Sequence, residues 1–323
     1  MIFPSSHRSA HLLSCLPYFE KPQGSNDYRY TVSIHADMLK IKRLDSPRTN
    51  KKIVRGQITG FSAKSRKRMI ELLASIREAP DLFCTMTYSD DCATMSPEIF
   101  RPHFEAFRRR LEYYYKDIKI IWRLELEDRK SGTKFGQILP HFHLLIWLPE
   151  MSDTQKQAIL FNSGEIWRVM WHEIIKSTSE AHLRQYGLQL APIKSRKHAY
   201  SYASKYVAKV DNDQLSIGRR WGRIGKFDTG PLLEIEINER EYVQFKRLVT
   251  SYLSKRTKVI KVDGKPVTKY VGKHIAKRIK RRSVALGLTA FGLGAWNDKF
   301  HGLQGATVFN MLLHAKMLVD SSN

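Results

Sequence analysis

The fold of this chain is decided by residues 119–148, which read KIIWRLELEDRKSGTKFGQILPHFHLLIWL. Alternation at the start of this stretch puts Glu125 and Glu127 on one face of a strand, because successive side chains of a strand point to opposite faces. Residues 141–148 form a second, more apolar strand that belongs in a sheet core. The segment 128–140, rich in Gly, Lys and Ser, is long enough to return this strand antiparallel to the first. The stretch therefore predicts a hairpin whose polar side chains share one face.

His141 and His143 lie in the second strand with one residue between them, so both imidazoles project from the same face. With a carboxylate from the neighbouring strand, Glu125 or Glu127, they would form a two-histidine, one-carboxylate set with positions left open for phosphate oxygens. Mg²⁺ or Mn²⁺ would suit such ligands. A His-x-His pair arises by chance roughly 0.4 times in a chain of this composition. The neighbouring glutamate strand is therefore what favours a metal site.

A second motif combines tyrosine and lysine in residues 202–209, which read YASKYVAK. In a helix, Tyr202, Lys205, Tyr206 and Lys209 would lie within an arc of about 100°. Phenol is a poor nucleophile at neutral pH, and an adjacent ammonium such as that of Lys205 favours phenolate and neutralises a scissile phosphate. By itself the motif also suits a basic amphipathic helix with packed tyrosine rings. Together with a metal site, it predicts transesterification of DNA by tyrosine.

The composition favours a polyanionic partner. The chain has 55 Lys and Arg against 31 Asp and Glu, a net charge of +24, and such a field attracts nucleic acid and releases its counterions. An anionic membrane is the alternative, but the sequence has no apolar run of about 18 residues, so we expect no membrane partner. The three cysteines form no CxxC pair, which argues against a disulfide framework or a thiolate zinc site and fits a reducing cytoplasm.

The patterning along the chain predicts one main domain with two flanking segments. We expect residues 1–57 to be an irregular arm of unknown role, residues 58–254 to be the main domain and residues 255–323 to be a basic extension. Helices are predicted from the cap Ser62, over 153–176 and over 239–254, and strands over 28–34, 82–88, 187–193 and 232–237, with a small hairpin at Asp263-Gly264.

Two further basic segments are candidates for DNA contact. Arg219, Arg220 and Trp221 could clamp phosphate and stack a base, or form a solvated turn with a packed indole. Residues 255–282 carry twelve basic residues and one acid, a net charge of +11. This tract could hold duplex DNA or a displaced strand, or serve as a solubilising tail. Its candidate DNA-binding residues are Lys277, Arg278, Lys280, Arg281 and Arg282.

Three segments, in order along the chain, resemble the motifs of rolling-circle replication initiators of the HUH endonuclease superfamily. Residues 82–88 (LFCTMTY) resemble the first motif, residues 140–145 (PHFHLL) the second and residues 202–209 the third. Residues 122–125 and 218–222 also resemble the phage and plasmid branch of these initiators. The paired tyrosines are similar to those of the two-tyrosine initiators of small single-stranded DNA phages.

The resemblance covers about residues 58 to 230 and carries expectations about fold and metal. It implies an α+β fold in which a five-stranded antiparallel sheet is flanked by helices. It also implies that His141 and His143 are metal ligands with Glu125 as the third. The segment between the glutamates and the histidines is longer than expected for the family, which keeps Glu127 as the alternative third ligand.

The same resemblance implies the course of the reaction. Tyr202 would make a 5′-phosphotyrosyl link and leave a free 3′-hydroxyl to prime synthesis, and Tyr206 would cut the regenerated origin and join the released circle. The sequence therefore predicts a replication initiator that nicks single-stranded origin DNA in the cytoplasm of a bacterial host. A host helicase and polymerase are candidate partners, and no small-molecule cofactor is expected.

Two alternatives stay open. A transposase or conjugative relaxase of the same superfamily would have a single tyrosine, or tyrosines ahead of the histidines, so the order and number of tyrosines here favour an initiator. A non-catalytic basic DNA-binding protein would use the charge alone. The sequence has no Walker A motif, so a built-in helicase is not expected.

Overall fold

A computed structural model describes residues 28–36, 38–44, 58, 60–92, 97–128, 135–195, 199, 218–255, 257–270, 288–291 and 305–321. Contacts between residues divide the chain into two units. One unit is drawn from residues 51–229, and the other combines residues 1–50 with residues 230–323. We refer to them as the central unit and the terminal unit.

The described strands are β1 (Arg29–Ile34), β2 (Met38–Arg43), β3 (Leu82–Thr87), β4 (Lys119–Asp128), β5 (Ile138–Trp147), β6 (Leu188–Pro192), β7 (Trp221–Ile224), β8 (Leu233–Asn238), β9 (Thr257–Val262), β10 (Lys265–Tyr270) and β11 (Leu288–Phe291). The described α-helices are α1 (Ala63–Ser75), α2 (Phe100–Tyr114), α3 (Asp153–Ala158), α4 (Gly164–Ile175), α5 (Glu239–Ser254) and α6 (Gly305–Asp320). A π-helical segment, Ile159–Ser163, joins α3 to α4, and a second one covers His182–Tyr186.

The central unit is built on a five-stranded sheet in the order β6-β3-β5-β4-β7. Every neighbouring pair of strands in it is antiparallel. The predicted hairpin of β4 and β5 is confirmed, with Glu125 paired to His141 and Arg123 paired to His143. The predicted α+β fold, a five-stranded antiparallel sheet with flanking helices, is therefore also confirmed.

One face of this sheet forms the main apolar core. Phe142 and Leu144 of β5 alternate with the two histidines and are fully buried. They lie under α2 and α4, where the Phe142 ring stacks on Phe104 with ring centroids 4.8 Å apart. The Trp171 indole of α4 meets Phe142 edge-on, at 6.3 Å. Because this face is covered by helices, the opposite face of β5 is the one that can carry polar side chains.

Helix α1 and the residue before its cap lie on that opposite face. The hydroxyl of Ser62 accepts a hydrogen bond from the backbone N–H of Ser65 at 3.2 Å, which confirms the predicted N-cap. The Trp221 indole N–H of β7 donates to the Ser65 hydroxyl at 2.7 Å. The Phe61 ring lies 4.4 Å from the guanidinium carbon of Arg123. Helix α1 therefore covers the β4–β7 side of this face.

The terminal unit contains a second sheet, of four strands, in the order β11-β2-β1-β8. Its core includes Tyr30 and Val32 of β1 and Tyr242 and Phe245 of α5, all fully or almost fully buried. The Tyr30 and Tyr242 rings stack with centroids 4.5 Å apart. Burial raises the pKa of the Tyr30 hydroxyl far above its ordinary value, so this phenol stays protonated at neutral pH.

The structure divides the chain differently from the boundaries expected on sequence, 1–57, 58–254 and 255–323. Residues 29–34 and 38–43 form two paired strands rather than an irregular arm with one strand. The predicted elements at 232–237 and 239–254 are present, but β8 pairs with β1 over its whole length. Strand β8 and helix α5, which were expected in the main domain, therefore belong to the terminal unit. The pairing joins segments about 200 residues apart, and local sequence patterns carry no information on such a contact.

Candidate functional site

Polar side chains form two rows across the three central strands, on the sheet face opposite the apolar core. Directly paired residues of antiparallel strands project to the same side, so each row crosses β3, β5 and β4. The first row is Thr87, His141 and Glu125, and the second row is Thr85, His143 and Arg123. The two predicted histidines and one predicted glutamate are therefore neighbours at the centre of the sheet.

Glu125 and His143 make direct contact. The Glu125 Oε2 atom lies 2.8 Å from His143 Nε2, and both side chains are buried, at 1% and 8% exposure. The hydroxyl of Thr85 lies 3.3 Å from the other ring nitrogen, Nδ1. The His143 ring is thus held between two oxygen atoms, an arrangement that fixes the orientation of a ligating imidazole in metal sites.

His141 is half-buried and lies beside this pair. Its ring is nearly parallel to that of His143, at 17°, with the ring centroids 6.3 Å apart. As the side chains stand, no group of three or more His, Cys, Asp and Glu among the described residues is arranged to hold a metal ion. The direct contact that the structure shows in this group is the one between Glu125 and His143.

The donor set fits a divalent cation. Two ligand atoms at adjacent positions of an octahedral ion with bonds of about 2.1 Å lie about 3 Å apart, close to the 2.8 Å between Glu125 Oε2 and His143 Nε2. Two imidazoles and one carboxylate suit Mn²⁺, and Mg²⁺ accepts the carboxylate with water and phosphate oxygens. His141, His143 and Glu125 would be the ligands.

The position of Glu127 makes it the weaker alternative. It projects from the same face of β4 as Glu125, but it pairs with Leu139, one row beyond His141. Its side chain is half-buried, whereas Glu125 is buried and in contact with His143. The geometry therefore favours Glu125 as the third ligand.

Arg123 places a positive charge beside the histidines. It is 1% exposed, and its guanidinium lies over the Phe61 ring, with 4.4 Å from Cζ to the ring centroid. Arg123 shares its row with His143, so this buried guanidinium lies on the polar face of the sheet. A cation–π contact of this kind is worth about 1 to 2 kcal/mol when desolvated.

The end of β3 next to His141 is fixed by several contacts. The Thr87 hydroxyl donates to the main-chain carbonyl of Tyr186 at 2.8 Å. The Thr87 carbonyl accepts a hydrogen bond from the Trp171 indole N–H at 2.7 Å and lies 3.1 Å from His182 Nε2. Helix α4 and the π-helical segment 182–186 thus hold one rim of the site.

Two tyrosines near this rim differ in exposure. Tyr88 follows β3 directly, and it is 3% exposed. Burial raises the pKa of its hydroxyl well above the ordinary range, so Tyr88 is a core residue and not a nucleophile at neutral pH. Tyr186, by contrast, is 59% exposed.

The three predicted DNA-contact residues that follow the tyrosine motif differ in their exposure to solvent. Arg219 is exposed, whereas Arg220 is 2% exposed. Trp221 is half-buried, and its indole N–H is bound to Ser65. Of the three, Arg219 is therefore the side chain most accessible to a phosphate, and base stacking on Trp221 stays a prediction.

Several predicted site residues lie outside the described residues. They are Tyr202, Lys205, Tyr206 and Lys209 of the tyrosine motif and Lys277, Arg278, Lys280, Arg281 and Arg282 of the basic tract. The described residue nearest in sequence to the tyrosines is Ala199, three positions before Tyr202. Ala199 is 2% exposed. The roles of these residues stay predictions.

Sequence patterns did not identify two residues of this face, Arg123 and Phe61. Arg123 stands in a segment that resembles the family, but the resemblance assigns it no role. Its position two residues before Glu125 on the same strand already places it on the site face. Phe61 directly precedes the cap Ser62, a position where an apolar residue often packs back on the protein, but its contact with Arg123 depends on the tertiary fold.

Comparison with known proteins supports the resemblance seen in the motifs. Residues 81–211 match the family model of the ORF2-type replication-associated proteins. The chain is also 26% identical over 213 residues to a replication-associated protein of Pseudomonas phage Pf3, a match that spans 60% of this chain and 68% of the phage protein. No solved structure matches the chain. The resemblance to rolling-circle replication initiators is thereby confirmed, and the assignment to the two-tyrosine branch stays a prediction.

In the part of the chain that the structure describes, no helix has both the length and the apolar character needed to cross a bilayer.

Proposed function

From this relationship to phage replication proteins, we propose that the chain initiates rolling-circle replication by nicking single-stranded origin DNA through a covalent tyrosine intermediate. The observation that carries the proposal is the contact between Glu125 and His143 in the central strands, with His141 in the adjacent row. These residues fall inside the matched segment 81–211, which also contains the two tyrosines. A buried carboxylate and two imidazoles on one polar sheet face suit a site for phosphate chemistry.

In this proposal Glu125, His141 and His143 hold Mg²⁺ or Mn²⁺. The cation, when bound, polarises a non-bridging oxygen of the scissile phosphate. The buried guanidinium of Arg123, in the same row as His143, adds positive charge to this part of the face. Thr85 keeps the His143 ring in place through Nδ1. The chain thus supplies both the ligands and the surrounding charge.

Tyr202 is the proposed nucleophile of the first cut. Its phenolate oxygen bonds to the phosphorus while the bond from phosphorus to the 3′ oxygen breaks, which leaves a 5′-phosphotyrosine and a 3′ oxyanion that takes up one proton from water to become the 3′-hydroxyl. Lys205 favours the phenolate. In the predicted helix, Lys209 adds a second positive charge on the same face. The phosphodiester energy is retained in the tyrosine link, so the strand can later be rejoined.

The length of the intervening chain lets Tyr202 reach the site. Gln189 is level with Thr85, and Thr85 is level with His143. Gln189 lies in the same row as His143, and Pro192 lies three residues further along β6. The distance along the strand between Pro192 and this row is therefore about 10 Å. Tyr202 is ten positions after Pro192, and even a fully helical segment of that length would span about 15 Å.

Tyr206 is the proposed second nucleophile. If residues 202–209 form the predicted helix, one turn separates the two phenols, and both can approach the same phosphate-binding position in turn. Tyr206 would cut the regenerated origin, and the free 3′-hydroxyl would then attack the first phosphotyrosine and close the released circle. This division of labour requires two tyrosines in one active site.

The proposed partners follow from the reaction and the charge. Single-stranded origin DNA is the substrate, and the net charge of +24 supports its attraction. Arg219, which is exposed, is a candidate phosphate contact. A host polymerase would extend the 3′-hydroxyl and a host helicase would separate the strands, which places the proposed reaction in the cytoplasm of a bacterial host.

The tyrosine roles can be tested with labelled single-stranded oligonucleotides from the replicon, incubated with Mn²⁺. We expect Tyr202→Phe to abolish the first cut and Tyr206→Phe to allow one cut while impairing strand transfer. Tyr113→Phe is the matched control, because Tyr113 is 81% exposed on α2, the helix on the other face of the sheet. It should behave as the unaltered chain does.

Three outcomes would count against the proposal. Full activity in both Tyr202→Phe and Tyr206→Phe would contradict the assignment of the nucleophiles. Tight DNA binding without cleavage of any replicon strand would favour a non-catalytic DNA-binding protein. Cleavage that needs Tyr202 alone, with strand transfer intact in Tyr206→Phe, would favour the single-tyrosine mechanism of a transposase.

A further inference from the structure

The terminal unit carries a small hairpin formed by β9 and β10. The two strands pair through all six of their residues and form a two-stranded sheet of their own. The turn is Asp263-Gly264, with φ of 51° and 76°. Two positive φ values in a two-residue loop are those of a type I′ turn, which matches the natural twist of a hairpin. The predicted hairpin is thereby confirmed and has a defined register.

Both apolar and polar side chains of the hairpin are exposed. Val259, Val262 and Val267 are 64%, 45% and 43% exposed, and every described side chain from Lys261 to Thr268 is exposed. An isolated two-stranded hairpin is at best marginally stable in water. Val262 and Val267 lie on the same face of the ribbon, and adjacent exposed apolar side chains are a feature of surfaces that bind a partner.

The charge of the hairpin specifies the kind of partner. Residues 257–270 contain four lysines and a single acid, Asp263 at the tip of the turn, for a net charge of +3. They lie in the tract 255–282, whose net charge is +11. A basic surface with almost no acids complements the phosphate backbone of a nucleic acid.

The dimensions of the hairpin fit the major groove of duplex DNA. That groove is about 12 Å wide and admits a two-stranded ribbon, whose strands are about 4.8 Å apart. Lysines on the ribbon can reach the phosphates that border the groove, and exposed valines can contact the methyl groups of thymine. Six-residue strands of about 20 Å are long enough to follow the groove over several base pairs.

We propose that the β9–β10 hairpin is a duplex-DNA-binding ribbon that lies in the major groove, separate from the face that carries Glu125 and the histidines. The ribbon belongs to the terminal unit, whereas that face belongs to the central unit. Its partner is double-stranded DNA, whereas the proposed cleavage acts on a single strand. The ribbon therefore gives the chain a means to hold the duplex from which the cleaved strand is drawn.

The test measures binding of the full chain to a fluorescent duplex by anisotropy over a range of salt concentrations. Replacing two exposed lysines of the hairpin, Lys261→Ala with Lys265→Ala, should weaken binding by roughly tenfold at physiological salt. It should also reduce the magnitude of the slope of log K against log salt by about 2. Lysine-to-arginine exchange at the same two positions should restore both quantities.

The matched control removes the same charge elsewhere in the terminal unit. Lys40 and Lys42 are exposed on β2, and alanine at both positions should leave duplex affinity within about twofold. Groove choice is tested with a duplex whose cytosines carry glucosylated hydroxymethyl groups, which fill the major groove. We expect the unaltered chain to bind this duplex more weakly.

Three results would overturn the inference. Equal losses in the hairpin variant and in the Lys40, Lys42 control would show that net charge alone is responsible. Unchanged binding to the glucosylated duplex would exclude the major groove. Unchanged duplex affinity in the hairpin variant would show that the ribbon binds something else, such as a protein. None of these measurements depends on cleavage, so they stand whether or not the nicking proposal holds.

Discussion

At the scale of single residues, the choice of the third metal ligand depends on which glutamate of β4 lies beside the histidines. Spacing alone leaves Glu125 and Glu127 equivalent, because both project from the same face. The strand register separates them, since Glu125 pairs with His141 and Glu127 pairs with Leu139. Glu125 also contacts a histidine of the site directly, at 2.8 Å from His143.

This choice predicts unequal effects of two matched substitutions. Glu125→Gln keeps the shape of the side chain but removes its charge, and we expect it to lower both Mn²⁺ affinity and the rate of covalent adduct formation at least tenfold. Glu127→Gln should change either quantity less than about threefold. Isothermal titration with Mn²⁺ measures the affinity without reference to activity. A larger loss in Glu127→Gln would identify Glu127 as the ligand.

Asp91 illustrates how a loop carboxylate can be tied into the fold. Burial alone would raise its pKa, but hydrogen bonds from the backbone N–H and hydroxyl of Thr178 and from the Ser177 hydroxyl outweigh this and lower the pKa. The Thr178 N–H lies 2.5 Å from Asp91 Oδ2. Asp91 therefore joins the loop after β3 to the end of α4.

The lowered pKa predicts a pH-dependent contribution to stability. Because the folded pKa of Asp91 lies below its ordinary value, the contribution is complete above about pH 5 and is lost as the pH falls through the folded pKa. The effect is reduced by solvent screening, since Asp91 is exposed. Asp91→Asn should lower the melting temperature at pH 7, and the gap from the unaltered chain should narrow in acid. A gap that stays constant from pH 7 to about pH 3 would contradict this.

At the scale of secondary-structure elements, Gly222 sets how closely β7 and its neighbours pack. A Cβ atom at this position would lie 2.9 Å from Trp122 Nε1 and 3.0 Å from two other indole atoms. The Trp122 ring is itself packed against Phe104, with centroids 5.0 Å apart, and it is 5% exposed. A glycine is therefore needed where β7 crosses this tryptophan.

We predict that Gly222→Ala lowers the free energy of unfolding by about 1 to 3 kcal/mol, because the indole has little room to move. Gly164→Ala is the control. A Cβ there would meet its nearest neighbours at 3.7 and 3.8 Å, and alanine is favoured over glycine within a helix by up to about 1 kcal/mol. Urea unfolding of the two variants measures the difference. Equal stability of the two would show that the Trp122 side chain adapts.

Elements with strong local patterns could be predicted from the sequence. The alternation around Glu125, the cap at Ser62 and the Asp263-Gly264 turn each have a local physical cause, and each is present in the structure. The pairing of β1 with β8 could not be predicted, because it depends on which distant strand completes the second sheet. The same limit applies to Phe61, whose contact with Arg123 arises from tertiary packing.

At the scale of the whole molecule, the candidate site was predictable because its parts come from neighbouring strands. His141, His143 and Glu125 are brought together by one hairpin, β4 and β5, so that sequence spacing determined most of the geometry. The contact between Glu125 and His143, which are not direct partners in the strand register, depends on side-chain packing and could not be predicted. The tyrosine motif follows β6 in the chain, and its approach to the histidines stays a proposal.

The central claim is that Tyr202 becomes covalently linked to the 5′ end of a cleaved strand. The most direct measurement incubates the full chain with Mn²⁺ and overlapping single-stranded oligonucleotides that cover its replicon, and then identifies the modified peptide by mass spectrometry. We predict a single adduct, a nucleotide 5′-phosphate on Tyr202. No adduct with any strand, or an adduct on the exposed Tyr186 instead, would contradict the account.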